Sequence, residues 1–319
     1  MKKYLIILIS LIVLLLGFFM WSFWPSNHHN NKTVIVSYEN TQTRVVINVI
    51  KEKKLLEKYL PRGTIVKWVM IDNSADLRDA LATDRVSLGS LDNIRTISAI
   101  ENNYPITILA NGLGVSRAVY TTNPNIIKPE DLADCKRIAV QGTAILSFQK
   151  ELESEYGFTL RDDQLIEISE SDMVNMLTQG QIDAGLLTSS YAARAKALDP
   201  ELRVVLDITP EVIKLGLANW FVASTKFTEQ NPELINPIMS AYREAVDYIN
   251  NNPRETAELL APIYQIDASQ IEQDLKAFPP VMEIYGYDEL ANIMYEQGKL
   301  DKKPQPFNKL PNYETIPKR

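Results

Sequence analysis

Cysteine and histidine are almost missing from this chain. Cys135 is the one thiol in 319 residues, and His28 and His29 are the two imidazoles. A lone cysteine closes no internal disulfide, so Cys135 decides nothing about redox compartment. Both histidines sit in the polar stretch PSNHHNNK, and residues 33–319 contain none. That excludes a histidine triad, a histidine-ligated zinc centre and a histidine general base from the folded part. Phosphate-cradling and hydrolase signatures are missing too. No G-x-x-x-x-G-K-[ST] and no G-x-S-x-G occurs, and the GLG that starts at Gly112 lacks the third glycine of a dinucleotide fingerprint. No cofactor and no metal is called for. Positive charge is short as well: 33 Lys and Arg stand against 40 Asp and Glu. Setting aside the three basic residues Lys2, Lys3 and Lys32 leaves 30 against 40, a net charge of −10 beyond residue 32. Such a surface does not suit nucleic acid or anionic lipid.

What the chain does have begins at its start. Residues 4–24 carry no charge and are almost wholly apolar, directly after Lys2 and Lys3. As a helix this run is roughly 31 Å long, against about 30 Å for a bilayer core. A signal-peptide core is shorter, about 7 to 15 residues. No A-x-A-like site follows, and no cysteine stands just behind the run to carry a lipid. The pattern favours an uncleaved membrane anchor over a removed signal, with residues 33–319 on the extracytoplasmic face by the positive-inside rule. No second span occurs.

The remaining length suits two lobes rather than one core. Strand-like and helix-like segments alternate. TVIVSY from Thr33, TIVKWVMI from Thr64, VSLGSL from Val86, ITILA from Ile106, AVYTT from Ala118, RIAVQ from Arg137, LIEIS from Leu165 and RVVLD from Arg203 read as strands. A helix is expected over residues 44–59, and Ser74 is the expected N-cap of the next one. This is an α/β pattern with largely parallel sheets. LATDRVSLGSL from Leu81 and LTQGQIDAGLL from Leu177 align without gaps, with Gly89 and Gly185 in the same place. The alignment points to two lobes of like construction. From Asn231 the chain turns helical, with Leu234, Ile238, Tyr242, Val246 and Ile249 at helix spacing. Helices without strands of their own must pack on sheets built earlier. The expected division is a membrane anchor or signal and linker over 1–32, lobe I over 33–117, lobe II over 118–217, and a mostly helical return to lobe I over 218–319. Two linkers between lobes make a hinge, with a ligand cleft between.

Strand ends that feed helix N-termini present unpaired N–H groups, which suit an anionic head group. Four such places stand out. Residues 39–43 include Asn40 and Gln42, which contact a ligand or only cap the following helix. Gly142 permits close backbone approach and Thr143 adds a hydroxyl; the pair is otherwise a turn and a cap. Thr188 and Ser189 end the second echo strand. Ser90 and Asp92 hold the matching place in the first, where Asp92 is alternatively an N-cap. Trp220, on the return crossing, either stacks on a ligand or fills the core. Arg95 and Arg117 pair with an anion or lie solvated on the surface.

Three segments resemble extracytoplasmic solute-binding proteins of ABC importers, the type II periplasmic-binding-protein fold. IIKPEDLADCKRIAVQGTA from Ile126 is similar to their I-x-x-x-x-D-L-K-G-K-x-I-A-V-x-x-G-S stretch, and QGQIDAGLLTSSY from Gln179 to their G-x-I-D-A-x-x-x-x-x-P-Y stretch. NWFVASTKFTEQNPELI from Asn219, with YREAVDYINNNPRETAELLA from Tyr242, resembles the branch that binds nitrate, sulfonates and taurine. The likeness spans almost everything from Thr33 to Ala277. It implies a two-lobed fold that takes a small polar or anionic solute, works as a monomer, and delivers to permease and ATPase subunits on separate chains. Asp134 and Cys135 depart from the usual Lys-Gly, and Thr188, Ser189 and Ser190 stand where many relatives have a tryptophan, an acid and a proline. That second departure faces the expected ligand, so the solute does not transfer. A tethered sensor or scaffold, and binding of a pyrimidine or thiamine-precursor heterocycle, stay open. The pyrimidine synthases similar to this family use a histidine that the folded part lacks.

Overall fold

The computed structural model of the protein describes residues 32–112, 116–141, 144–209 and 219–310. The apolar run 4–24, and Gly142 with Thr143, lie outside the described residues. Among the described residues no helix is long and apolar enough to cross a membrane.

The strands sort into two sheets. The first holds β1 (Thr33–Tyr38), β2 (Ile65–Met70), β3 (Leu88–Asp92), β4 (Ile106–Asn111) and β10 (Asn219–Ser224), in the order β2-β1-β3-β10-β4. The second holds β5 (Arg117–Thr121), β6 (Ile138–Val140), β7 (Leu165–Glu167), β8 (Ala184–Thr188) and β9 (Arg203–Asp207), in the order β7-β6-β8-β5-β9. In each sheet three neighbours run parallel and one inserted strand runs antiparallel: β10 between β3 and β4, β5 between β8 and β9. The inserted strands are the ones that enter a sheet from the other, because the chain passes between sheets twice, after β4 and after β9. Parallel order elsewhere follows from the helical crossovers α1 (Val45–Glu52), α2 (Leu55–Tyr59), α3 (Ser74–Ala82), α4 (Asn93–Glu101), α5 (Ala144–Tyr156) and α6 (Glu170–Thr178).

The internal echo is structural. Helix α3 begins at Ser74 and α6 at Glu170; β3 begins at Leu88 and β8 at Ala184; each later element is displaced by 96 residues. Helices α4 and α7 (Ser189–Leu198) then begin at Asn93 and Ser189, again 96 apart. Gly89 and Gly185 share a reason. A Cβ on either would lie 3.0 Å from a leucine Cδ1 of the preceding helix, Leu77 or Leu177, so glycine lets helix and strand approach closely.

Two local expectations are corrected. The helix expected over 44–59 breaks into α1 and α2 because Lys54 adopts a left-handed conformation, φ 53°. The cap of α3 is Asn73, whose side chain accepts from the N–H groups of Ala75 and Asp76, and Ser74 is the first helical residue.

Both faces of each sheet are covered, which accounts for strands that read as continuous apolar runs. Along β10, Trp220 and Val222 face α4 and α12 (Tyr287–Glu296), while Phe221 and Ala223 face the opposite layer. That layer holds α1, α2 and the C-terminal helices: α8 (Thr225–Gln230), α9 (Pro232–Asn251), α10 (Pro253–Tyr264) and α11 (Ala268–Ala277). Every residue picked out on α9 by spacing is buried, and Tyr242 stacks on Phe221 with ring centroids 4.4 Å apart. Helices α6 and α7 cover one face of the second sheet through Met173, Val174, Leu177, Ala192 and Ala195.

Cys135 is buried, and burial pushes its thiol up to about 12, with Asp183, Asp131 and Asp134 adding to the shift. The thiolate is the reactive form. At pH 8 the folded protein is expected to react with a disulfide reagent at least about a hundredfold more slowly than the urea-unfolded chain. Equal rates would show that the thiol is reached from solvent.

Candidate functional site

The first sheet contributes the C-terminal ends of β1 and β3. After β1 the chain makes a tight turn at Gln42–Arg44 and enters α1. Asn40 is exposed there, and the side chain of Gln42 lies outside the described set. Arg44 is 8 % exposed, with Nε 3.3 Å from Glu39 Oε2, and Nη1 donates to Thr43 Oγ1 at 3.2 Å. Burial pulls the Arg44 guanidinium down and the Glu39 carboxyl up from their ordinary values, and each opposes the shift in the other. Asn48 fixes this turn from α1: its Nδ2 donates to the Glu39 carbonyl and to Tyr264 Oη, both at 2.9 Å. At the end of β3, Ser90 is buried and Asp92 caps α4, its Oδ1 accepting the Arg95 N–H at 2.9 Å and its Oδ2 accepting from Arg95 Nη1 at 2.9 Å. The N-cap reading of Asp92 is therefore the one its bonds satisfy. Arg95 is paired rather than free in solvent.

The second sheet contributes the end of β8. Glu170, the first residue of α6 and 6 % exposed, reaches across to it. Its Oε2 accepts the Thr188 N–H at 2.9 Å and the Thr188 hydroxyl at 2.6 Å, while Oε1 accepts from Arg117 Nη1 at 3.1 Å. Ser189, one residue on, opens α7. Its hydroxyl lies 2.7 and 2.6 Å from the two carboxylate oxygens of Asp274 on α11. Helix α11 packs through Ile271 and Leu275 with the core on the first sheet, so this contact joins the two sides. Burial, then Glu170, raises the Tyr191 hydroxyl, with Arg194 opposing the shift. The ends of the neighbouring strands β1 and β3 lie on one side, and the end of β8 reaches that side's helical layer through Asp274.

Trp220 does not join them. It is 0 % exposed in an interior strand of the first sheet and stacks on Tyr287 at 5.7 Å, the core position that was the alternative to ligand stacking. Three residues that pattern reading missed are central here: Arg44, Glu170 and Asp274. Glu170 was visible as the acidic first residue of the repeated helix. Asp274 sits in a helix with no counterpart in the echo and carried no signal.

The region offers carboxylates, guanidinium groups and hydroxyls at strand ends. No histidine or thiol is among them, and no cluster of metal-binding side chains occurs among the described residues. The chain's exit from and return to the first sheet lie side by side. A Cβ on Gly112 would lie 2.2 Å from the carbonyl oxygen of Asn219, and past the other end Ile208 N–H donates to Arg117 O at 3.1 Å. Polar strand-end clusters of this kind suit capture of a small molecule.

The profile of a family described as NMT1/THI5 like matches residues 62–256, more than half of the chain. The chain belongs to the NMT1/THI5-like family. A Bacillus subtilis (strain 168) protein named "Putative aliphatic sulfonates-binding protein" is 22 % identical over 313 residues, covering 95 % of this chain and 92 % of that one. A 4-amino-5-hydroxymethyl-2-methylpyrimidine phosphate synthase of Aspergillus parasiticus is 23 % identical over 253 residues, 75 % of this chain and 72 % of the synthase. Among solved structures, the periplasmic aliphatic sulphonate binding protein SsuA of Escherichia coli superposes with a TM-score of 0.72 at 21 % identity, covering 89 % of this chain and 99 % of that one. At that identity the likeness establishes the two-sheet periplasmic-binding-protein architecture of this NMT1/THI5-like member.

Proposed function

We propose that this NMT1/THI5-like protein is the extracytoplasmic solute-binding component of an ABC importer. It takes a small polar or anionic solute, of the nitrate, sulfonate or taurine kind, between two lobes and releases it to permease and ATPase subunits on separate chains. The lobes are residues 33–117 with 218–319, and residues 118–217. Contacts made to both lobes favour the closed form, which the permease distinguishes from the open one. Residues 4–24 hold the protein at the membrane. Binding without turnover suits a region that has no histidine and no thiol to act on a bond. What supports the reading is a pair of like-ordered sheets, with the end of β8 meeting a helix packed on the first sheet where Ser189 donates to Asp274. The binding positions proposed are Asn40, Gln42, Ser90, Gly142, Thr143, Thr188 and Ser189.

A melting-temperature screen tests it. A solute at a hundred times its Kd adds about 2.7 kcal/mol to the native state. For a chain of this size that raises Tm by roughly 5 to 10 °C. The panel is nitrate, bicarbonate, ethanesulfonate, taurine and hydroxymethylpyrimidine. A rise with one class fixes the solute. Conversion of any bound compound, seen by mass spectrometry, would replace the importer reading with an enzyme.

A further inference from the structure

We propose that Asn48 is a positioning residue of the solute site: it holds the turn after β1, which carries Asn40 and Gln42, in the form that meets the solute, and Tyr264 holds Asn48. This rests on the solute-binding reading above. Six of the eight residues of α1 are buried, and five of those six are valine or isoleucine. Asn48 is the sixth, 2 % exposed. An aliphatic side chain at that place would pack as its neighbours do, whereas a buried amide costs stability unless its hydrogens are used. Both are used. Nδ2 donates to the Glu39 carbonyl and to Tyr264 Oη, each at 2.9 Å.

The Glu39 carbonyl lies where strand pairing stops. The Tyr38 carbonyl, at the end of β1, still accepts the Ile71 N–H at 3.2 Å from beyond β2; the next carbonyl takes its bond from the Asn48 side chain. At the far end of the turn the Thr43 carbonyl accepts from Asn219 Nδ2 at 3.2 Å, and between the two the Arg44 N–H donates to Thr41 O at 3.0 Å. Side-chain amides from α1 and β10 thus tie both ends of the segment that holds Asn40 and Gln42. Tyr264 is the last residue of α10, 8 % exposed and 216 residues from Asn48, so the C-terminal helical layer reaches the turn through one hydroxyl and one amide. A turn held in one form loses less freedom when a solute binds, which strengthens binding without a contact of its own.

Calorimetric titration with taurine, ethanesulfonate and hydroxymethylpyrimidine, well below every Tm, tests it. Asn48→Leu keeps the volume and removes both donors, and should weaken the probe that binds wild type by about tenfold or more. Ile249→Val, a truncation in the same apolar layer, should lower Tm and leave that Kd within about twofold. Tyr264→Phe should weaken the probe by about threefold, and the double variant should bind like Asn48→Leu alone, because Tyr264 acts through Asn48. An Asn48→Leu Kd within about twofold of wild type, whatever its Tm, means that Asn48 serves the fold only; that overturns the proposal and leaves solute binding intact. Single effects that add in full in the double variant overturn the part given to Tyr264. Should Asn48→Leu not fold, Tyr264→Phe decides alone, and an unchanged Kd overturns the proposal. Wild type that binds none of the three probes removes the solute-binding reading, and this proposal with it.

Discussion

Glu170→Ala is expected to lower stability by about 3 to 4 kcal/mol. One buried carboxylate satisfies a guanidinium from β5 and a backbone N–H and a hydroxyl from β8. Alanine leaves Arg117, whose side chain is 19 % exposed, facing an empty position with little water to replace its partner. Breaking a buried pair by removing one partner costs about 3 to 5 kcal/mol, and the partial exposure of Arg117 places this case toward the lower end. The Thr188 N–H loses its Glu170 acceptor as well. Glu170→Gln keeps an oxygen for Thr188 but turns an amide NH2 toward the Arg117 guanidinium, so it loses that pair alone and should cost less than alanine. Urea denaturation is the measurement: the midpoint should fall with the slope unchanged, as it does when stability alone alters. A loss below about 1 kcal/mol for alanine would mean that water takes over the carboxylate's bonds, and the network would then not be what holds β8 to α6.

The order of elements was legible because apolar alternation and helix spacing are local properties. The 96-residue echo was legible because two copies of one strand-helix unit must meet the same packing demand: a glycine beneath a leucine at Gly89 and at Gly185. What failed was what depends on partners distant in sequence. Trp220 lies on a sheet face covered by α4 and α12, so its side chain has no route to solvent, and coverage by a helix distant in sequence leaves no mark on the strand's own residues. Glu170 meets Thr188 across 18 residues and Ser189 meets Asp274 across 85, pairings that no periodicity encodes. The break at Lys54 was hidden for another reason. A left-handed lysine carries no glycine or proline to mark it. The strand ends at residues 39–43, 90–93 and 188–189 were found because donors at a helix start are a consequence of chain direction alone. That the chain's own acids occupy those donors was not.

Gly112→Ala is the substitution expected to disturb both stability and closure. Gly112 follows β4 where the chain leaves the first sheet, and Asn219 opens β10 where it returns. An added Cβ would stand 2.2 Å from the Asn219 carbonyl oxygen and 3.0 Å from its carbon, both backbone atoms. Neither side yields easily. Asn219 pairs with Asp92 in β3, and its Nδ2 donates to Thr43 O at 3.2 Å. Asn111, beside the glycine, donates its N–H to Met282 O at 3.1 Å, and its carbonyl accepts from Tyr242 Oη at 2.6 Å. Overpacking costs about 1 to 3 kcal/mol where side chains can move, so a clash between anchored backbones should cost about 3 kcal/mol or more. Tm should fall by roughly 6 to 12 °C. Gly89→Ala provides the contrast, because its Cβ meets only the flexible end of Leu77 at 3.0 Å and should cost about 1 kcal/mol. The functional consequence separates the two further. Forcing Gly112 and Asn219 apart, where the chain leaves and re-enters the first sheet, should weaken solute binding in Gly112→Ala even at temperatures where it is fully folded, and Gly89→Ala should not. If both substitutions cost the same and bind alike, the two connections are not held together at Gly112, and the hinge must lie elsewhere.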